Sequence, residues 1–191
     1  MTDNHPSRDE AEEAVRVLLR WIGENPEREG LRKTPKRVTS AYAEFFAGYD
    51  QDPKEVLSHT FEDIDQYEGF VLLRGIDFVS HCEHHILPVI GEAHIAYIPS
   101  KGVVGISKLA RVVEIFAKRL QTQESMTVDI ARIIEETLKP KGVAVMISAE
   151  HQCMSIRGVC KPGVKTITTH CTGAFSENPA LWQDFKDQIS A

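Results

Sequence analysis

Ser80-His81-Cys82-Glu83-His84-His85-Ile86-Leu87-Pro88 places three imidazoles, one thiol and one carboxylate in five consecutive residues, 81–85. Nothing else in the chain is as dense in chemistry. Thiolate sulfur and neutral imidazole nitrogen are preferred ligands of a borderline-soft cation such as Zn²⁺. Cys82 and His85 stand in a C-x-x-H spacing, at which one turn of chain brings both onto the same ion. That is half a site. The second half is expected at His151-Gln152-Cys153. If 143–150 is a strand, residues two apart share a face, so His151 and Cys153 project together from its end. A catalytic zinc site keeps three protein ligands and one open position. Cys82, His84, His85, His151 and Cys153 offer more candidates than three ligands require, and the surplus histidines are candidate acids and bases.

These residues need elements to hold them. Ser7 and Glu10 have the capping-box form, and Val15, Leu18, Leu19 and Ile22 recur at helical spacing, which predicts a helix over 9–24. Thr34 as N-cap with Pro35 at the first helical position predicts a second helix reaching 46, stopped by Gly48. The stretch 49–68 lacks periodicity and reads as mostly loop. Ile76 and Phe78 alternate with Asp77 and Val79 in a strand that enters the Cys/His cluster, and Ala93, Ile95 and Tyr97 mark its partner. Leu109, Val112, Val113 and Phe116 predict a helix over 107–120. Met126, Ile130, Ile133 and Ile134 predict another over 125–138, stopped by Lys139-Pro140-Lys141-Gly142. The strand ending at His151 follows, then a Thr-rich strand through Val164, Thr166 and Thr168. Asn178-Pro179 opens a terminal helix with Leu181, Phe185 and Ile189 on one side. Trp21 and Trp182 read as packing residues on their helices.

Lys108 and Arg111 fall at the start of the third of these helices, where the macrodipole disfavours cations by ~0.3–1 kcal/mol each. A bound polyphosphate would account for them, because a helix N-terminus presents donors and flanking cations add charge-assisted bonds. Arg157 can join from the next segment. Solvated surface cations are the plainer alternative. Gln123-Glu124, placed between two helices, pairs an amide with a carboxylate that suits the edge of a guanine-like ring, although such surface pairs are common.

Composition narrows the field. A chain of 191 residues, 42% hydrophobic, supports one domain of ordinary size. Acidic residues outnumber Lys plus Arg by 28 to 22, for a net charge of -6, so no global basic field points to nucleic acid. The polar start Met1-Thr2-Asp3-Asn4-His5-Pro6 is unlike a signal peptide, and no apolar run approaches a membrane span. A cytoplasmic protein with four reduced cysteines is expected.

Thr34-Pro35-Lys36-Arg37, Cys82-Glu83-His84-His85, Gly105-Ile106-Ser107-Lys108, Gln123-Glu124 and His151-Gln152-Cys153 with Arg157 together resemble, in order and spacing, the type I GTP cyclohydrolase family. The resemblance runs from the second helix to about Phe175. It implies a zinc enzyme that opens the imidazole ring of GTP, releases C8 as formate and forms 7,8-dihydroneopterin triphosphate, the first step of pterin and folate biosynthesis. It implies an α+β tunnelling fold, an antiparallel sheet packed against helices. An N-terminal helical annex would cover 1–48 and the catalytic domain 49–191. A homodecamer of two pentamers with sites between subunits is implied too, with no nucleic acid or membrane partner.

Carried over by position, Cys82, His85 and Cys153 match the zinc ligands, and His84 and His151 match the proton-transfer residues. Glu124, with Gln123 beside it, matches the guanine contact, and Lys108, Arg111 and Arg157 match the triphosphate clamp. Ser107 sits near the ribose, and Arg37 matches an arginine reaching a neighbouring subunit's site. The sequence departs from the family's pattern at His81 and at His170-Cys171.

Two other classes remain. A related tunnelling-fold enzyme reduces a nitrile with NADPH and a cysteine nucleophile, but one nucleophile needs no second Cys/His cluster. A zinc-stabilised oligomerisation module would need a closed site, for instance with Cys160 and Cys171, whose spacing lacks paired knuckles. His5, His59 and His94 read as ordinary histidines, at a disordered end, at the surface or on a strand. Glu83 either orients an imidazole or faces water.

Overall fold

A computed structural model describes residues 5–58, 60–61 and 67–190. His59 lies outside the described residues. The chain divides into two compact units, Met1–Phe46 and Ala47–Ala191.

In the first unit, α1 (Arg8–Trp21) opens on the expected capping box: Ser7 Oγ accepts from the Glu10 N–H at 3.3 Å, and Glu10 Oε2 accepts from the Ser7 N–H at 2.8 Å. It ends at Trp21, three residues before the predicted end, where Gly23 takes φ +90°. α2 (Thr34–Phe45) begins one residue earlier than expected. Thr34 is already helical, and Lys33 flanks the helix without a side-chain cap bond. Pro35 is buried in its first turn, and Arg8 Nη2 donates to Ser40 Oγ at 2.6 Å. Trp21 does not pack: it is 80% exposed, and Leu18 and Ile22 are exposed beside it. Of the apolar stripe that made α1 legible in the sequence, Leu18 and Ile22 are therefore open in this chain, while Val15 and Leu19 are half-buried.

The second unit starts in the stretch expected to be mostly loop. A 3-10 turn (Ala47–Asp50), α3 (Pro53–Leu57) and β1 (Thr60–Phe61) are short elements within it. Asp52 caps α3 by accepting from the Lys54 N–H at 2.8 Å, with Pro53 in its first turn. These elements are too short to show a period. Leu57 is the residue that anchors them in the core.

The sheet follows the order β5 (Leu120–Gln121), β2 (Val71–Cys82), β3 (Pro88–Ile98), β6 (Gly142–His151), β7 (Lys165–Gly173). Neighbours from β2 to β7 are antiparallel, and β5 pairs parallel to β2 only at His81 and Cys82. β4 (Val103–Val104) pairs with β1. Strand alternation sends Phe78, Cys82, Val89, Ala93, Ile95, Val143, Val145 and Ile147 to one face. That face is covered by α4 (Ile106–Ala117) and α5 (Gln123–Leu138), through Leu109, Val112, Val113, Phe116, Met126, Ile130 and Ile134. Each fully buried Leu, Ile, Val or Phe contributes roughly 1.5–3 kcal/mol. Part of the other face, at Ala96, Ile98 and Ala144, is covered by α7 (Ala174–Glu177) and α8 (Pro179–Ser190) through Phe175, Leu181, Phe185 and Ile189. Trp182 stacks on Phe185 at 5.3 Å, so this tryptophan does pack. The unit is the expected α+β arrangement of antiparallel sheet and helices.

Both central helices differ from expectation at one end. α4 stops at Ala117, and the chain re-enters the sheet as β5. α5 starts at Gln123, capped by Thr122, whose hydroxyl accepts from the Ser125 N–H at 3.2 Å. Gln123 and Glu124 thus form the first turn of α5 and are not a linker. Likewise Cys153 does not continue β6: the chain coils at once into the single turn α6 (Gln152–Ser155). Among the described residues no helix is long and apolar enough to cross a membrane.

Candidate metal centre

β2 delivers Cys82 to the sheet's end and the chain reverses at once. The Ile86 N–H donates to the Cys82 carbonyl at 2.9 Å, and the Cys82 N–H donates to the Leu87 carbonyl at 3.0 Å. Ile86 takes φ +54°, the left-handed region, which costs a β-branched residue on the order of 1–3 kcal/mol. The tight turn brings His85 Nδ1 to 3.9 Å from Cys82 Sγ. Cys153 comes in from α6, packed against the same core that buries Cys82. One donor atom each from Cys82, His85 and Cys153 then lies within 4.8 Å of the others. Burial pushes the Cys153 thiol up, and the neighbouring Cys82 thiol adds to this, against the opposing charge of Arg157. A bound cation would favour the thiolate form of Cys153. Two sulfurs and one imidazole fit a tetrahedral borderline-soft ion with a fourth position open.

The helical turn at Cys153 is braced from the strand before it. Glu150 Oε1 accepts from Ser155 Oγ at 2.6 Å and from the Gly163 N–H at 3.0 Å. These bonds hold the Glu150 carboxyl below its usual range. They also tie down both ends of the loop that carries Arg157. The guanidinium of Arg157 donates to His85 Nε2 at 2.8 Å, beside the group of three. Nothing in the sequence pattern singled out Glu150, which there reads only as a strand residue.

His151, the last residue of β6, is half-buried, and its Nε2 lies 2.8 Å from Gln123 Oε1. Burial lowers its pKa, and the Glu124 carboxylate works in the opposite direction. Gln123 is only 5% exposed, and its amide is spent on protein partners, whereas a guanine contact was expected. Glu124, one position on, is exposed in the first turn of α5, where a carboxylate suits the helix dipole. Its neighbour Thr122 marks the start of that helix in the sequence, a signal that would have placed Gln123 correctly.

The remaining expected residues lie on other elements. His84 is exposed, and its Nε2 lies 3.7 Å from Oε1 of the equally exposed Glu83, beyond hydrogen-bond distance. Ser107 and Lys108 lie in the first turn of α4, which has Gly105 as N-cap and no side-chain cap. Arg111 lines a hollow with Asp77, Val79, Ala110 and Glu114 on the edge of β2, and none of the three candidate ligands lines it. Arg37 is exposed on α2, beside Lys33, Lys36 and Ser40. His81 faces the opposite side of β2 from Cys82 and is buried, which lowers its pKa. Cys160 is exposed and Cys171 half-buried, and neither joins the group of three.

The family model for GTP cyclohydrolase I matches residues 11–190. The chain belongs to the GTP cyclohydrolase I family. A GTP cyclohydrolase 1 of Sinorhizobium fredii is 58% identical over 179 residues, covering 94% of this chain and 87% of the relative. One of Maricaulis maris is 57% identical over 184 residues, covering 96% and 88%. One of Brucella suis is 59% identical over 172 residues, covering 90% and 81%. A more distant likeness is to the crystal structure of the archaeosine synthase QueF-Like in the apo form, with a TM-score of 0.48 and 19% identity over 57% of this chain and 98% of that one. Membership of the GTP cyclohydrolase I family agrees with the resemblance carried by the Cys-Glu-His-His and Gly-x-Ser-Lys motifs.

Proposed function

We propose that this chain is a zinc-dependent GTP cyclohydrolase, which opens the imidazole ring of GTP, releases C8 as formate and forms 7,8-dihydroneopterin triphosphate at the head of folate biosynthesis in the cytoplasm. The observation that carries this reading is the group Cys82, His85 and Cys153, with donor atoms within 4.8 Å of one another, in a member of this family. Zinc held by these three would supply Lewis-acid activation of water. Everything else falls to the chain itself. His151 and His84 move protons, because imidazoles exchange them readily near neutral pH. The Glu124 carboxylate accepts from the N–H groups on the guanine edge. Lys108, Arg111 and Arg157 hold the triphosphate, with the N-terminus of α4 adding its backbone donors. Ser107 lies beside the ribose, and Arg37 serves a neighbouring subunit's site. Positioning of this kind accounts for much of a barrier reduction.

Completion of the site by neighbouring copies is part of the proposal, as a homodecamer of two pentamers. Two features support it. Among the described residues β2 is paired on its second edge only at His81 and Cys82, and β7 ends the sheet on the other side, so these residues present two open edges. Leu18, Trp21 and Ile22 at the end of α1 are exposed as well.

Metal-loaded protein incubated with GTP should release formate and yield a product that oxidises to a fluorescent pterin. A chelator should abolish both signals, and zinc should restore them. Formate without pterin would restrict the activity to ring opening. Neither signal from zinc-loaded protein would overturn the proposal in favour of a structural zinc module.

A further inference from the structure

Gln123 was expected at the substrate, yet its side chain points into the protein. Its Nε2 donates to the Thr166 carbonyl at 2.9 Å and the Ile147 carbonyl at 3.2 Å, and it lies 3.1 Å from Thr168 Oγ1. Two of these partners are backbone carbonyls, which accept and never donate. The amide therefore has one permitted orientation: a flip would set its oxygen against two carbonyl oxygens. The hydroxyls extend the restraint. Thr127 Oγ1 donates to the Gln123 backbone carbonyl at 2.7 Å, and Thr168 Oγ1 lies 2.7 Å from Thr127 Oγ1. With the Thr127 hydrogen so used, Thr168 donates to Thr127 and accepts from Gln123. Gln123 Oε1 is then an acceptor aimed at His151 Nε2, 2.8 Å away.

We propose that Gln123 is a positioning residue for His151. It fixes the imidazole in the tautomer with hydrogen on Nε2, so that Nδ1 is the ring's acceptor atom. A neutral imidazole carries one hydrogen on either nitrogen, and the bond made by one nitrogen decides the role of the other. The strands supply the rigidity: Ile147 and Thr168 are register partners on β6 and β7, and Thr166 lies two residues from Thr168. The inference rests on the proton-transfer role proposed for His151, and it assigns Gln123 no contact with GTP.

Gln123→Met keeps the length and volume of the side chain and removes both ends of its hydrogen bonding. In the zinc-loaded enzyme, kcat should fall roughly ten- to a hundredfold, a share of what general acid–base catalysis contributes. KM for GTP and zinc content should stay within twofold of wild type. A raised KM at preserved kcat would place Gln123 on the substrate and overturn the inference, as would unchanged values of both. Wild-type enzyme assayed alongside separates this from failure of the functional reading, which would show as no turnover in the wild type itself. If Gln123→Met loses its fold or its zinc, magic-angle-spinning NMR of zinc-loaded wild type with ¹⁵N-labelled histidine decides. His151 is assigned there by the signal missing from His151→Gln. An Nε2–H ring supports the inference, and an Nδ1–H ring overturns it.

Discussion

Cys153 shares the metal group with Cys82 and His85, yet it alone is carried by a helical turn, braced through Ser155 and Glu150. Replacing its sulfur by the harder serine oxygen should remove the tight site with little change in packing. Cys153→Ser is expected to purify with well under one zinc per chain and to lose turnover, by metal analysis and formate assay. Full zinc content in that variant would remove Cys153 from the ligand set. The types of these three residues are legible in the sequence, because no ordinary packing need explains a Cys-x-x-His beside a second Cys/His pair. Their geometry is only partly so. Strand alternation brings His151 and Cys153 together on paper, whereas α6 begins between them and gives them different partners: Gln123 for one, Cys82 for the other. A four-residue turn has no period to read. Gln123 was misplaced for a related reason, since the apolar positions of α5 begin at Met126 and only the Thr122 cap marks the true start.

Among the elements, β2 and β3 depend on an irregularity. Their register shifts between Leu73 and Ile76, where Gly75 takes φ +67°, a conformation that only glycine adopts without strain. The N–H freed at that bulge is not lost: Gly75 donates to His94 Nδ1 at 3.1 Å. His94 was read as an ordinary histidine, yet it is only 6% exposed, and it completes the bulge's hydrogen bonding. Alternation predicts the two strands but carries no sign of the bulge, which needs a long-range partner. Burial lowers the pKa of His94 below its ordinary 6.5; Arg74 adds to this, and Glu92, with Oε2 4.0 Å from Nε2, opposes it. The sign of the pH effect follows. As pH falls below 6.5 the unfolded chain gains a proton that folded His94 resists, so stability present above that pH is lost on the way down to the folded pKa. His94→Asn offers an amide oxygen to the Gly75 N–H and does not titrate. Its melting temperature should fall less steeply than wild type between pH 7.5 and pH 5.5 (on the order of one to two degrees per unit less), by calorimetry. Identical slopes would clear His94 of this role.

At the scale of the whole molecule, the expected partner is another copy of the same chain. Light scattering at micromolar concentration should give ten copies of the 21.4-kDa chain, and turnover per chain should fall when dilution breaks the assembly. A fully active single chain would refute shared sites. The class of fold was readable because helices and strands of ordinary length carry clear periods, and their apolar faces bury against the two sides of one sheet. The assembly was not, since periodicity reports what a residue buries and is silent about whose surface buries it. Trp21 shows the difference: its helical face predicts burial, and the chain by itself leaves it open. The positions of the two open edges along the chain also set a timetable for synthesis. β2 is complete at Cys82, while β7 is not made until Gly173. A nascent chain therefore carries the edge of β2 while β3 to β7 are still being made, and it must keep that edge from stray pairing for as long.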